Sequence, residues 1–78
     1  MITAEIITIG TEIVLGQIVD TNTPYIARKL SEKGIQVQFQ TSVGDDKELL
    51  TSALRIARDR VNLIITTGGL GPTANDIT

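Results

Sequence analysis

The 78-residue chain carries nine acidic and seven basic side chains scattered without a basic patch, for a formal net charge of −2, which argues against nucleic acid as a partner. It has neither Cys nor His, so Cys/His nucleophiles, Ser-His-Asp triads and thiolate or imidazole zinc sites are excluded together, and any metal must be a hard cation on oxygen ligands. Hydrophobic residues make up 41% of the chain and aromatics 3%; with Ile, Leu, Val and Ala dominating, this is the composition of one layered α/β unit with a marginal core.

Ala4 to Ile9 is a nearly continuous apolar run that ends at Gly10, which predicts a strand buried on both faces. The stretch from Thr11 to Asn22 is long for a strand-to-helix loop, and Ile13, Val14, Leu15, Ile18 and Val19 predict that it packs. A helix is expected from Thr23, with Thr23 as cap and Pro24 at the first helical position; Ile26, Ala27 and Leu30 share a face, and Gly34 stops it.

Ile35, Val37, Phe39 and Val43 alternate with Gln36, Gln38, Gln40 and Ser42, the pattern of a second strand with one wet face near an edge. Asp45 and Glu48 have capping-box spacing. Leu50, Ala53, Leu54, Ala57 and Val61 then form a helical stripe, and Arg55, Arg58 and Arg60 suit the end of the helix dipole. Asn62 to Thr67 reads as a third strand, buried on both sides, before a run of glycines.

The order βαβαβ, with right-handed crossovers and the two continuous apolar strands as neighbours, predicts a three-layer α/β/α arrangement on a mostly parallel sheet of order 2-1-3. Its topological switch point lies between the first and third strands, where ligands of open α/β sheets bind. Three segments converge on that rim: Gly10-Thr11-Glu12, Gly44-Asp45-Asp46 and Thr67-Gly68-Gly69-Leu70-Gly71-Pro72. Thr73 to Asp76 read as the start of a third helix, so residues 1–78 are expected to be the N-terminal part of a longer domain.

Gly68, Gly69 and Gly71 permit close backbone approach, so successive N–H groups can face an anion; the competing reading is a plain structural turn. A Walker-type sequence is absent, and the partial match of Gly69-x-Gly71-x-x-Ala74 to the dinucleotide fingerprint follows the wrong strand. Asp76, Asp45 and Asp46 are each either helix caps or rim carboxylates for a divalent cation, with Asp45 favoured for the rim. Glu12, Asp20 and Asn22 could meet a ligand hydroxyl, a metal or a ring edge, or be solvated loop groups. Tyr25 and Phe39 are read as packing residues. No apolar run approaches the roughly 20 residues of a membrane span, and no leader pattern is visible, which is read as cytoplasmic.

Gly10-Thr11-Glu12 with Gly16-Gln17-Ile18-Val19-Asp20-Thr21-Asn22, and Thr66 to Thr73 with Asp76-Ile77-Thr78, resemble the molybdopterin-binding domain shared by molybdenum-cofactor biosynthesis enzymes. Within that family the resemblance is strongest to the N-terminal domain of the competence/damage-inducible CinA group, and it covers essentially the whole chain. It implies a homo-oligomer that binds a small-molecule nucleotide or pterin phosphate, with Thr67, Gly68, Gly69 and Gly71 on the phosphate and Gly10, Thr11, Glu12, Asp20 and Asn22 on the rest of the ligand. Asp45 and Asp76 would be the catalytic and metal carboxylates, with Mg²⁺ or another divalent cation. The implied activity is a nucleotide pyrophosphatase acting on ADP-ribose-like substrates. Leu70, where the molybdopterin adenylyltransferases usually have Thr, weakens the adenylyltransferase alternative; a pterin- or nucleotide-binding module without turnover is the third reading.

Overall fold

The computed structural model describes residues 1–68. The central strand β1, Ile2–Ile9, is flanked by β2, Ile35–Val43, and β3, Leu63–Thr67, in the order β2-β1-β3, and both ladders are parallel. This is the predicted α/β architecture with strand order 2-1-3. Ala4, Ile6, Ile7 and Ile9 of β1 are all essentially without exposed surface, which is why the central strand reads as a continuous apolar run.

Successive side chains of β1 point to opposite faces, and each face receives one helix. The odd positions Ile7 and Ile9 pack with Leu50, Ala53 and Ala57 of α3, Lys47–Arg58, while Val43, Leu54, Val61 and Ile64 complete that layer. On the even side, Thr8 meets Thr23 of α2, Asn22–Glu32. Gly34 follows α2 with φ of +80°, a left-handed conformation that suits glycine and turns the chain back into β2.

Several local expectations change. The first helix begins at Asn22 rather than Thr23. Its cap is supplied from upstream, because Asp20 Oδ1 accepts from the backbone N–H of Asn22 and of Thr23 at 3.0 and 3.1 Å. Thr23 is buried, bonded to Thr8 and Asp20, and so cannot serve as cap.

The second helix is capped by Asp46, whose extended backbone and Oδ1, accepting from Glu48 and Leu49, meet the N-cap requirement. Asp45 is thereby excluded from the capping role that its spacing to Glu48 suggests. The helix ends at Arg58, so Val61 and Arg60 lie beyond it; Arg60 bonds Glu5 instead of lying in the last helical turn.

The segment after β1 does not pack as its apolar content suggests. It forms a single turn, α1, Thr11–Val14, and Val14, Leu15, Ile18 and Val19 are all more than half exposed. The turn starts two residues past the last strand residue, and of the apolar side chains expected to pack Ile13 alone is half-buried. Tyr25 is likewise 55% exposed under the Lys29 ammonium, and Phe39 is partly exposed beneath the Arg60 guanidinium. Phe39 stands out because β2 slips register there: Ala4 pairs with Val37 but Glu5 pairs with Phe39, leaving Gln38 as an extra residue. No helix among the described residues is long and apolar enough to cross a membrane.

Candidate functional site

The C-terminal ends of the three strands meet at one rim. Gly10 N–H donates to the Val43 carbonyl at 2.9 Å, which carries the β1–β2 ladder one step past the last paired residues, Ile9 and Val43. Continuing that register sets Thr11 beside Asp45, and the two bond reciprocally. Asp45 N–H donates to Thr11 Oγ1 at 3.0 Å, and Thr11 N–H donates to Asp45 Oδ2 at 3.3 Å. Gly44 lies between the two strand ends, and a Cβ there would make only van der Waals contact with Thr11 Oγ1, at 3.4 Å.

On the other side of β1, Gly68 follows β3 with φ of +81°, and a Cβ at that position would stand 2.8 Å from the Ile9 carbonyl oxygen. Only a glycine can adopt this conformation against a backbone oxygen without a shift of the chain. The glycine turn therefore begins in contact with the last residue of β1, next to Gly10. Thr67, just before it, has a buried hydroxyl with no hydrogen-bond partner among the described residues.

Of the residues expected at the site, Gly10, Thr11, Asp45, Thr67 and Gly68 stand together at the rim. Glu12 is half-buried in α1 beside Gly10. Asp20 is committed elsewhere: besides capping α2, its Oδ2 accepts from the hydroxyls of Thr8, at 3.0 Å, and Thr23. Burial raises the Asp20 pKa, but bonds from Thr23, Thr8 and Asn22 outweigh it and hold the carboxyl below its ordinary range. Asn22 is exposed, its N–H bonded to Asp20. Gly69, Gly71 and Asp76 lie outside the described residues. Among those described, no group of three or more His, Cys, Asp or Glu could hold a metal ion.

Sequence reasoning missed one feature outright. Glu5 lies in the middle of β1 with no exposed surface, and its carboxylate takes two bonds from Arg60 and a third from Thr41 Oγ1 at 2.6 Å. The signal was present as the one charged residue inside the apolar run from Ala4 to Ile9. A charge on a fully buried strand requires a partner, and Arg60 is the cation that the return into β3 delivers.

Comparison with known proteins adds to this geometry. Residues 5–78 match the family model described as a probable molybdopterin binding domain. The chain is 59% identical over 75 residues to a competence-damage inducible protein of Streptococcus gordonii, and 57% identical over 75 residues to its counterpart in Caldicellulosiruptor bescii. Each match covers 96% of this chain and 18% of the relative, so the chain spans less than a fifth of the length of these curated relatives. The crystal structure of CinA, a protein of unknown function from Thermoplasma acidophilum, superposes with a TM-score of 0.86 at 39% identity, covering 97% of this chain and 45% of that one.

Proposed function

The chain belongs to the family described as a probable molybdopterin binding domain, with CinA-like relatives, and from that premise we propose that its rim binds the phosphate of a nucleotide or pterin and supports hydrolysis of an ADP-ribose-like phosphoanhydride. The observation that carries the reading is the release of Asp45 from helix capping. Asp46 takes the cap, and Asp45 is turned toward Thr11 at the ends of β1 and β2. A carboxylate at the end of β2, and Gly68 leaving β3 against the Ile9 carbonyl on the other side of β1, support the reading that this rim pairs an anion-binding backbone with an oxygen base for water or metal.

The oxygen-only donor set suits Mg²⁺, which is commonly bound by one or two carboxylates together with substrate phosphates and water. Asp45 and Asp76 are the residues proposed to hold it, and when bound it would neutralise charge on the phosphates. In the proposed reaction a water oxygen forms a bond to one phosphorus. The bridging oxygen leaves with the other phosphate, and Asp45 orients the water and takes up its proton. ADP-ribose would give AMP and ribose 5-phosphate.

Incubation of the purified protein with ADP-ribose and Mg²⁺ or Co²⁺, followed by chromatography for AMP, tests the reading. AMP formation that stops in Asp45→Asn supports it, and no AMP with either metal overturns it. The second reading is a module that binds a pterin or nucleotide without turnover. That reading predicts a higher melting temperature with ADP-ribose and no product.

A further inference from the structure

We infer that Thr11 is a positioning residue that holds the Asp45 carboxylate at the rim, rather than a ligand contact in its own right; the inference rests on the reading of Asp45 given above. The Thr11 N–H and one lone pair of its hydroxyl are both engaged by Asp45. Its hydroxyl oxygen accepts the Asp45 N–H at 3.0 Å, and its own N–H donates to Asp45 Oδ2 at 3.3 Å. The pair closes a ring between two segments that are 34 residues apart in sequence and that leave adjacent parallel strands.

The ring settles an ambiguity built into consecutive aspartates. Asp45 and Asp46 both precede α3, and either carboxylate could cap its N-terminus. With the Asp45 amide fixed by Thr11 Oγ1, Asp46 adopts the extended N-cap conformation and takes Glu48 and Leu49, while Asp45 Oδ2 is drawn toward Thr11. One oxygen of Asp45 is thus engaged, and Oδ1 accepts nothing from the described residues, leaving it for water or a cation. Without the hydroxyl, the Asp45 amide loses its partner and the two aspartates can compete for the cap, so the carboxylate spends less time at the rim.

Thr11→Val and Thr11→Ser separate this role from others, since Val keeps the branched shape and Ser keeps the hydroxyl. Positioning predicts that Thr11→Val lowers kcat for ADP-ribose about tenfold or more with KM changed less than about threefold, and that Thr11→Ser restores most of kcat. A rise in KM with kcat unchanged would mean that Thr11 contacts substrate, and overturns the inference. Amide hydrogen exchange on the same proteins does not depend on turnover. The Asp45 amide is expected to be protected in the parent and in Thr11→Ser and unprotected in Thr11→Val, with the protection of β1 and β3 amides unchanged. If the parent forms no AMP yet shows this pattern, the hydrolase reading fails while the ring stands; an unprotected Asp45 amide in the parent sinks the ring itself.

Discussion

Arg60 closes on Glu5 with two hydrogen bonds, Nε to Oε1 at 2.8 Å and Nη2 to Oε2 at 2.7 Å, and so pairs a carboxylate that the central strand has removed from water. The guanidinium lies 3.7 Å from the centre of the Phe39 ring, which fixes its plane for the bidentate contact. Removing one partner of such a pair costs more than removing both, because the charge left behind is buried and uncompensated. Arg60→Ala is therefore expected to lower the melting temperature by about 10 °C. Arg60→Lys should be only partly better, since an ammonium cannot match the fork. Glu5→Leu combined with Arg60→Leu should recover most of the loss. Thermal unfolding of the four proteins checks the order, and a double variant less stable than Arg60→Ala would contradict it.

The same pair sets a pH dependence. The Arg60 bonds, and a lesser one from Thr41, hold the Glu5 carboxyl below its ordinary value of 4.5 against the burial that pushes it up. A carboxyl whose pKa is lower in the folded than in the unfolded state stabilises the fold fully above the unfolded value, and that contribution disappears as pH falls through the folded value. The stability difference between the parent and Glu5→Gln should thus be flat from pH 5 to 8 and shrink below about pH 4.5. Asp20, also depressed, is present in both proteins and cancels in the difference. Chemical denaturation at several pH values measures it, and a difference that grows on acidification would refute the assignment.

Asp45 and Asp46 should separate stability from function. Asp46→Ala removes the acceptor for two N–H groups at the start of α3 and is expected to cost about 1 kcal/mol. Asp45→Ala should cost less in urea unfolding yet abolish AMP formation. Equal losses of stability would show that both carboxylates share the cap.

Much of the fold is written in periodicity, and the parts that are not depend on contacts between distant segments. The continuous apolar run of β1 and the alternation in β2 order the sheet, because each reports how many faces of a strand are covered, whereas β3, read as buried on both sides, is half-buried along its whole length. Cap identity was not readable in the same way. Asp45 and Asp46 differ by one position, and the choice between them is made by Thr11, 34 residues upstream. Thr23 has the chemistry of a cap, but Thr8 and Asp20 draw it into the interior. The exposed Val14, Leu15, Ile18 and Val19 mislead for a related reason, since composition cannot tell that their turn lies beyond the sheet.

Gly68 offers a test by comparison with Gly34. Both have φ near +80°, so replacing either with Ala carries the left-handed penalty of roughly 1–2 kcal/mol. A Cβ at Gly34 meets nothing within 4 Å, whereas one at Gly68 meets the Ile9 carbonyl oxygen at 2.8 Å. Gly68→Ala must therefore also move β3 away from the end of β1, and should destabilise the protein more than Gly34→Ala. It should also weaken ADP-ribose binding, which Gly34→Ala leaves intact. Equal effects on stability would show that the rim yields at no cost.

Asp20 distinguishes a structural carboxylate from a ligand-binding one. Its Oδ1 caps α2 through Asn22 and Thr23, and its Oδ2 joins the hydroxyls of Thr8 and Thr23 beneath the rim. In Asp20→Asn the amide oxygen can keep the two backbone bonds, while the NH₂ group can donate to hydroxyl oxygens that also accept. In Asp20→Ala the α2 amides lose their acceptor, and the buried Thr8 and Thr23 hydroxyls keep only each other, 2.9 Å apart. Asp20→Ala is expected to cost about 2 kcal/mol in urea unfolding, and Asp20→Asn less than about half of that. Calorimetric titration with ADP-ribose completes the test. If Asp20 acts through the fold alone, Asp20→Asn binds as the parent does, whereas an affinity that falls tenfold at unchanged stability would move Asp20 into direct contact with the ligand.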